Sequence, residues 1–133
     1  MSYNVLLTDD AVRDLEELYD YILDHDSPEK ADHVLDKIEK AFNSLAELPD
    51  RGVYPKELSV LGIRDYREIF FKPYRIIYRM KGKSIFVLLI TDERRDMLSL
   101  LNRRLLMQNN YRSRRVGMSF IPTRRILLMQ HVP

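Results

Sequence analysis

The sequence predicts a small α+β domain in which a helical hairpin packs on a mostly antiparallel sheet, with element order β-α-α-β-β-β-α. Three observations predict it. Two amphipathic helical patterns follow one another closely, three strand patterns separated by short turns come next, and another helical pattern follows them. A chain of 133 residues, of which 45% are hydrophobic, suits one core rather than two.

The first strand pattern is short, and it leads directly into the first helix. Tyr3 to Leu7 alternates weakly, and Thr8 is a good N-cap. The two acidic residues that follow Thr8 suit the dipole at the start of a helix. Apolar residues then recur at helical spacing, while carboxylates occupy the remaining positions. The apolar positions are Val12, Leu15, Leu18, Tyr19, Ile22 and Leu23.

The second helix has its own start signal and its own apolar stripe. Ser27 is the expected N-cap and Pro28 the first helical residue, and Pro49 ends the pattern. The stripe consists of Ala31, Val34, Leu35, Ile38, Ala41, Phe42, Leu45 and Leu48. Because the connection between the two helices is short, we expect them to form a hairpin.

Residues 50–62 contain proline and glycine and are predicted to be a loop. Strands are predicted at 63–71, 74–80 and 84–90. The last strand, SIFVLLI, is apolar on both faces and should lie centrally in the sheet. A third helix is expected from Asp92, with apolar positions at Met97, Leu98, Leu101, Leu105 and Leu106.

Charge divides the chain into three parts. Residues 1–61 carry 6 Lys and Arg against 15 Asp and Glu, residues 62–108 carry 11 against 5, and residues 109–133 carry 5 against none. A cationic partner suits the first part, and an anionic surface suits the others. We predict one domain over 1–108 and a basic C-terminal extension over 109–133, partly ordered or packed on another chain.

Composition excludes several kinds of function. Without cysteine there is no disulfide, thiol catalysis or Cys-ligated zinc, and the scattered His25, His33 and His131 do not indicate a metal site. Phosphate-binding glycine motifs and the common hydrolase motifs are missing from the sequence. With no signal segment or long apolar run, the expectation is a cytoplasmic protein with no cofactor and no membrane contact.

The strand YRIIYRM carries the most informative cations. Alternation puts Arg75, Ile77 and Arg79 on one face. Arg67 on the preceding strand and the pair Arg94 and Arg95 after the next strand would extend a cationic patch, which suits a phosphate backbone or an acidic protein segment. The alternative is that these arginines pair on a structural surface with Asp65, Glu68, Asp92, Glu93 and Asp96.

Four segments together resemble the ParE branch of the RelE/ParE superfamily of toxins, from type II toxin–antitoxin modules that are often called plasmid stabilisation proteins. The segments are YNVLLTDDAVRDLEELYDYI, SPEKADHVLDKIEKAFNSLAELPDRG, KPYRIIYRM and RRDMLSLLNRRLL, within residues 2–107. The resemblance implies one of two activities. RelE-like members are ribosome-dependent endoribonucleases that cut mRNA, whereas ParE-like members are associated with poisoning DNA gyrase by binding it.

The ribonuclease pattern matches this chain only in part. Arg75 matches the arginine of the strand motif and Arg67 lies near one basic position, but the second basic position falls near Ile69. The arginine expected after the last strand falls near Glu93, and the helix tyrosine falls near Ser99. Arg94 is a possible substitute for that arginine.

The acid/base group and the net charge also bear on this choice. No tyrosine or histidine lies between Tyr78 and Tyr111, so the resemblance leaves the acid/base role without a local residue. Residues 1–108 carry 17 basic against 20 acidic side chains, a net charge of −3 that does not favour binding to ribosomal RNA. We therefore expect gyrase inhibition by binding rather than catalysis. A degenerate member that only binds an antitoxin is a third possibility.

The resemblance also implies which surfaces meet which partners. If the chain were a ribonuclease, its catalytic residues would be Arg67, Arg75, Arg94 and Arg95. The surface expected to bind the target comprises Arg75, Arg79, Arg94, Arg95, Leu98, Leu101, Arg103 and Arg104. A cognate ParD-like antitoxin is expected to form a hetero-oligomer with this chain by contacting Leu15, Leu18, Tyr19, Ile22, Arg67 and Arg75.

Overall fold

The helical hairpin begins and ends where the capping residues predict. Thr8 ends β1 (Asn4–Thr8) and caps α1 (Asp9–His25), its side chain accepting a hydrogen bond of 3.1 Å from the Ala11 backbone N–H. Ser27 caps α2 (Pro28–Asn43) in the same way, and a 3-10 turn (Ser44–Ala46) follows. The predicted hairpin is therefore confirmed.

A five-stranded sheet supports the hairpin. The computed structural model describes residues 2–106 and 113–115, the last range forming β5 (Ser113–Arg115). The other strands are β2 (Tyr66–Phe71), β3 (Tyr74–Lys81) and β4 (Ser84–Asp92). In the order β2-β3-β4-β1-β5 only the β1–β4 pair is parallel, so the predictions of a mostly antiparallel sheet and a central SIFVLLI strand are confirmed.

Two boundaries before the sheet differ from the prediction. The predicted loop contains a short helix, α3 (Lys56–Ser59), which follows Pro55. β2 begins at Tyr66 and not at residue 63, because Ile63 donates its backbone N–H back to the Leu58 carbonyl and so closes the turn after α3.

The last helix begins later than predicted. Asp92 still belongs to β4, where it pairs with Tyr74, and Asp96 is the N-cap of α4 (Met97–Leu101). The chain then continues as a π-helical turn (Asn102–Leu106). Because Met97, Leu100 and Leu101 are the buried positions of this short helix, the predicted apolar position Leu98 is 50% exposed.

Each face of the sheet has its own hydrophobic cluster. The larger cluster lies between the sheet and the α1–α2 hairpin, and it includes Leu7, Leu15, Ile38, Phe42, Ile76 and Tyr78. The smaller cluster joins the opposite face to α3 and α4 through Leu58, Ile77, Leu89, Met97, Leu100 and Leu101. The side chains of β3 thus divide between two covered faces, as alternation requires.

The predicted C-terminal extension is described only at β5, and its other residues lie outside the described part of the chain. The boundary between the predicted domain (1–108) and the predicted extension (109–133) stays a prediction. Among the described residues, no helix has the length and apolar character that a membrane span requires.

Candidate functional site

Arg75 forms a closed ion-pair group inside the protein. Its guanidinium donates two hydrogen bonds to the Glu57 carboxylate, at 2.9 and 2.8 Å, and its Nε donates one to Glu68 at 2.7 Å. The side chains of Arg75 and Glu68 are 7% and 6% exposed. The hydrogen bonds with Glu57 raise the pKa of Arg75 despite burial, and the same contact lowers the pKa of Glu57. Arg75 is therefore already neutralised.

The predicted cationic row is not continuous. Arg75, Ile77 and Arg79 share the α3–α4 face of the sheet as expected, and Arg79 lies 5.8 Å from the centre of the Tyr66 ring. Arg67, however, lies opposite Tyr78 in the β2–β3 register and so belongs to the hairpin face. The prediction that Arg67 extends the row is wrong, because the register places it on the other side of β2.

Arg67 joins β2 to the loop before it. Its guanidinium donates to the Gly52 carbonyl at 2.9 Å and to the Tyr54 hydroxyl at 3.2 Å, and lies 4.6 Å from the centre of that ring. The nearby Tyr78 hydroxyl donates to the Pro49 carbonyl and accepts from the Gly52 N–H. This arrangement gives Arg67 a structural use in the free protein.

Arg94 and Arg95 lie on the surface after β4. Arg94 pairs with Asp92 at 2.5 Å, yet its side chain remains 81% exposed. Arg95 is also exposed, and it forms no ion pair with another residue in the described part of the chain. Of the carboxylates considered from the sequence, Glu68 and Asp92 are the ones that pair with these arginines, while Glu57 is a partner that the sequence did not indicate.

Arg104 connects the end of the domain to α1. It forms a bidentate pair with Asp14, at 2.6 and 3.1 Å, approaches Asp10 at 3.7 Å, and donates to the Leu88 carbonyl at 3.0 Å. The second Asp14 oxygen also accepts from the Ile90 N–H at 3.0 Å. Burial raises the pKa of Asp14, and the contact with Arg104 only partly offsets this effect.

A cleft of about 720 Å³ opens beside this ion pair, between α1 and the C-terminal ends of β4 and α4. Exposed arginines surround it, namely Arg13, Arg94, Arg95 and Arg103. The remaining charged lining residues are Asp10, Asp14, Glu17, Asp92 and Arg104. With charges of both signs, this cleft suits a polar protein segment that brings carboxylates to the exposed arginines.

Two tyrosines also line this cleft, and they were missed in the sequence. Tyr21 of α1 is 59% exposed, whereas Tyr74 of β3 is 9% exposed, and burial raises the pKa of the Tyr74 hydroxyl. Neither lies in the segment where the ribonuclease pattern places its tyrosine. The β3–β4 register pairs Tyr74 with Asp92, and Tyr74 lines the cleft. This pairing joins residues that are distant in the sequence, so no local pattern indicates it.

The predicted antitoxin groove is filled by the protein itself. Leu15, Tyr19 and Ile22 are 0%, 7% and 7% exposed, and with the partly buried Leu18 they pack against α2. The contact between α1 and α2 leaves no space for a water molecule. On the α2 side it is formed by Ala31, Val34 and Leu35. Antitoxin binding at these positions stays a prediction, and it requires the two helices to separate.

The other predicted target-binding positions differ in access. Leu98 and Arg103 are exposed on the last helical turns, whereas Leu101 is 1% exposed and belongs to the smaller core cluster. His25 and His33 are exposed, and no group of potential metal ligands occurs among the described residues.

Comparisons with known proteins agree with this architecture. The search of curated proteins found no match. The chromosomal ParDE toxin–antitoxin system of P. aeruginosa provides a similar structure, with 24% identity and a TM-score of 0.58 over 68% of this chain and 96% of the other. A mutant of the E. coli toxin RelE in the free state is similar at 13% identity and a TM-score of 0.55, over 83% of this chain and the whole of the other. Residues 5–97 match the family described as ParE toxin of type II toxin-antitoxin system, parDE, and the chain therefore belongs to the ParE toxin family.

Proposed function

We propose that this ParE-family toxin inhibits DNA gyrase by binding it and that a cognate ParD-like antitoxin neutralises it. The single observation that carries the first half is the state of Arg75. Two carboxylates bind its guanidinium, so it is not available to the phosphate of an RNA substrate. A function by binding needs no such free cation within the fold. We also propose a cytoplasmic location.

The surface proposed to meet gyrase is the α4 side of the cleft. Arg94, Arg95 and Arg103 supply exposed positive charge there, and Leu98 adds an exposed apolar side chain. Surfaces of this kind steer a charged partner and supply a small apolar contact. Arg104 and Leu101 hold this surface in place from beneath.

Purified gyrase with relaxed plasmid DNA tests this proposal. We expect the wild-type protein to reduce supercoiling and to increase the cleaved DNA trapped on gyrase. Reversing charge in R95E/R103E should weaken both effects by at least about tenfold, because like charges then face the partner. The matched control is R64E/K81E, which reverses two exposed cations outside the cleft lining. A wild-type protein that leaves gyrase unaffected would remove the proposal.

For the antitoxin, we propose a segment whose carboxylates reach Arg95 and Arg103. The exposed arginines at the cleft rim support this proposal. The space between α1 and α2 is filled, which makes the cleft a better binding site than Leu15 and Ile22. Co-expression with a ParD-like antitoxin should yield a soluble hetero-oligomer by size exclusion with light scattering. A chain that elutes alone contradicts this half of the proposal.

The alternative is a ribosome-dependent endoribonuclease, and one observation favours it. Tyr21 and Tyr74 line the cleft together with exposed arginines, as an RNA-cleaving site would require. Against it, burial raises the pKa of Tyr74, which leaves even less of the phenolate that could act as a general base at neutral pH. Primer extension on translated mRNA separates the two functions, since only the ribonuclease produces codon-dependent cuts. Unimpaired growth on strong expression would instead indicate a degenerate member.

A further inference from the structure

The C-terminal part of the described chain lies along an edge of the sheet that would otherwise be open. β1 has β4 on one side only, and β5 covers its other side. The antiparallel register pairs Leu6 with Arg115, Leu7 with Arg114 and Thr8 with Ser113. These β5 residues lie beyond the 5–97 range that matches the toxin family.

A second contact, made by Arg104, closes the edge of β4 beyond the end of its pairing with β1. β1 pairs with β4 only along Ser84–Val87, although β4 continues to Asp92. Beyond this pairing, the Leu88 carbonyl accepts from Arg104, and the Ile90 N–H donates to Asp14, the ion-pair partner of Arg104. Side chains thus replace the missing strand there.

An uncovered β1 would be well suited to pairing with a second copy of itself. Its central residues, Val5, Leu6 and Leu7, are apolar, and they are at most 9% exposed while β5 is in place. An open edge of this kind presents unpaired N–H and carbonyl groups to other chains. Two identical edges can meet about a twofold axis, because each then offers the same groups to the other.

We propose that Ser113–Arg115 form a built-in edge cap that prevents pairing of β1 with β1 of a second copy, while Arg104 closes the adjoining edge of β4. The cap is itself poorly suited to strand addition, because β5 has three residues and two of them are arginines. Short, basic edge strands resist pairing with other chains. This role does not depend on the target of the toxin.

A proline substitution tests the backbone pairing without removing any part of the chain. R114P places a residue without an N–H in β5, whereas R114V removes the same charge and keeps a residue that favours strands. By amide hydrogen exchange, we expect R114P to accelerate the outward-facing amides of β1 by at least about tenfold. R114V should leave them near the wild-type rate. Equal exchange in R114P and the wild type would overturn the proposal.

Truncation after Asn109 tests the consequence for self-association. This variant keeps Arg104 and loses β5, and light scattering across micromolar concentrations should show its mass rising toward twice that of one chain, while the full chain stays constant. If the truncated chain fails to fold by circular dichroism, R114P and R114V carry the same measurement. A truncated chain that folds and stays monomeric would contradict the proposal.

Discussion

Arg75 and Arg104 form two ion-pair groups of similar chemistry in different places. Each guanidinium makes a bidentate pair with one carboxylate and a further contact with a second acidic side chain. Arg75 joins two adjacent strands to α3, and its side chain is 7% exposed. Arg104 pairs with Asp14, which is 90 positions away in the sequence, and its side chain is 20% exposed at the cleft. The first group holds the sheet and α3 together, and the second holds the proposed binding surface on the domain.

The carboxylates of the two groups respond differently to burial. In Glu57 the hydrogen bonds from Arg75 outweigh burial, so its pKa is lowered. In Asp14 burial outweighs the contact with Arg104, so its pKa is raised. An arginine partner therefore does not by itself determine how a carboxylate titrates, because the loss of water also counts.

The largest expected effect comes from breaking the Arg75 group. R75M leaves Glu68 buried with a charge that has lost its partner, and we expect a loss of about 3–5 kcal/mol in the free energy of unfolding. Urea unfolding followed by circular dichroism measures it. As the control, E57Q/E68Q/R75M removes all three charges and should recover most of the loss. A loss below about 1 kcal/mol in R75M would mean that this group is not a buried ion pair in solution.

The second effect comes from the Arg104 group and should be smaller. R104M leaves Asp14 without its bidentate partner, but water reaches this site more readily, so we expect a loss of about 1–3 kcal/mol. Urea unfolding compares it with R75M. R103M is the matched control, because Arg103 is exposed and adjacent. A larger loss in R104M than in R75M would reverse the comparison.

The difference between these groups also shows how far the sequence alone leads. Capping residues and periodicity predicted the hairpin, and alternation predicted that Arg75 and Arg79 share a face, because both signals are local. The partners of Arg75 and Arg104 were harder to predict. Glu57 lies in a segment predicted to be a loop, and Asp14 belongs to a helix with many carboxylates, so neither has a local signal.

Register and short elements account for the remaining errors. The sequence does not show on which face of the sheet Arg67 lies, because the register between β2 and β3 decides this. That register pairs Arg67 with Tyr78, on the face opposite to Arg75. β5 has three residues in a basic segment without an alternating pattern, so nothing predicted it. The cleft depends on these long-range placements, and its tyrosines were therefore missed.

The pH dependence of stability should have opposite signs at the two groups. Because the pKa of Glu57 is lowered from 4.5, its contribution is present above that value and is lost as the pH falls. Because the pKa of Asp14 is raised from 3.8, its contribution is present at low pH and is lost as the pH rises through the raised value. Relative to wild type, E57Q should therefore become less stable, and D14N more stable, as the pH rises from acid to neutral.

Urea unfolding at a series of pH values measures these two differences directly. Only the slopes need to be compared, so the loss of hydrogen bonds in each variant, which does not vary with pH, does not affect the outcome. D24N is the control, because Asp24 is an exposed residue of α1 that belongs to neither group. Slopes of the same sign in E57Q and D14N would contradict the difference in burial on which the comparison depends.

The smallest effect on stability is expected where an arginine pair lies in water. Arg94 and Asp92 pair at 2.5 Å, but the arginine side chain is 81% exposed, so solvent screens the attraction. R94A should leave the urea midpoint unchanged while weakening the proposed gyrase inhibition, because the charge of Arg94 lies on the proposed binding surface and not in the core. R64A, another exposed arginine, should change neither quantity. A stability loss in R94A comparable to that in R104M would place Arg94 with the structural pairs and remove it from the proposed binding surface.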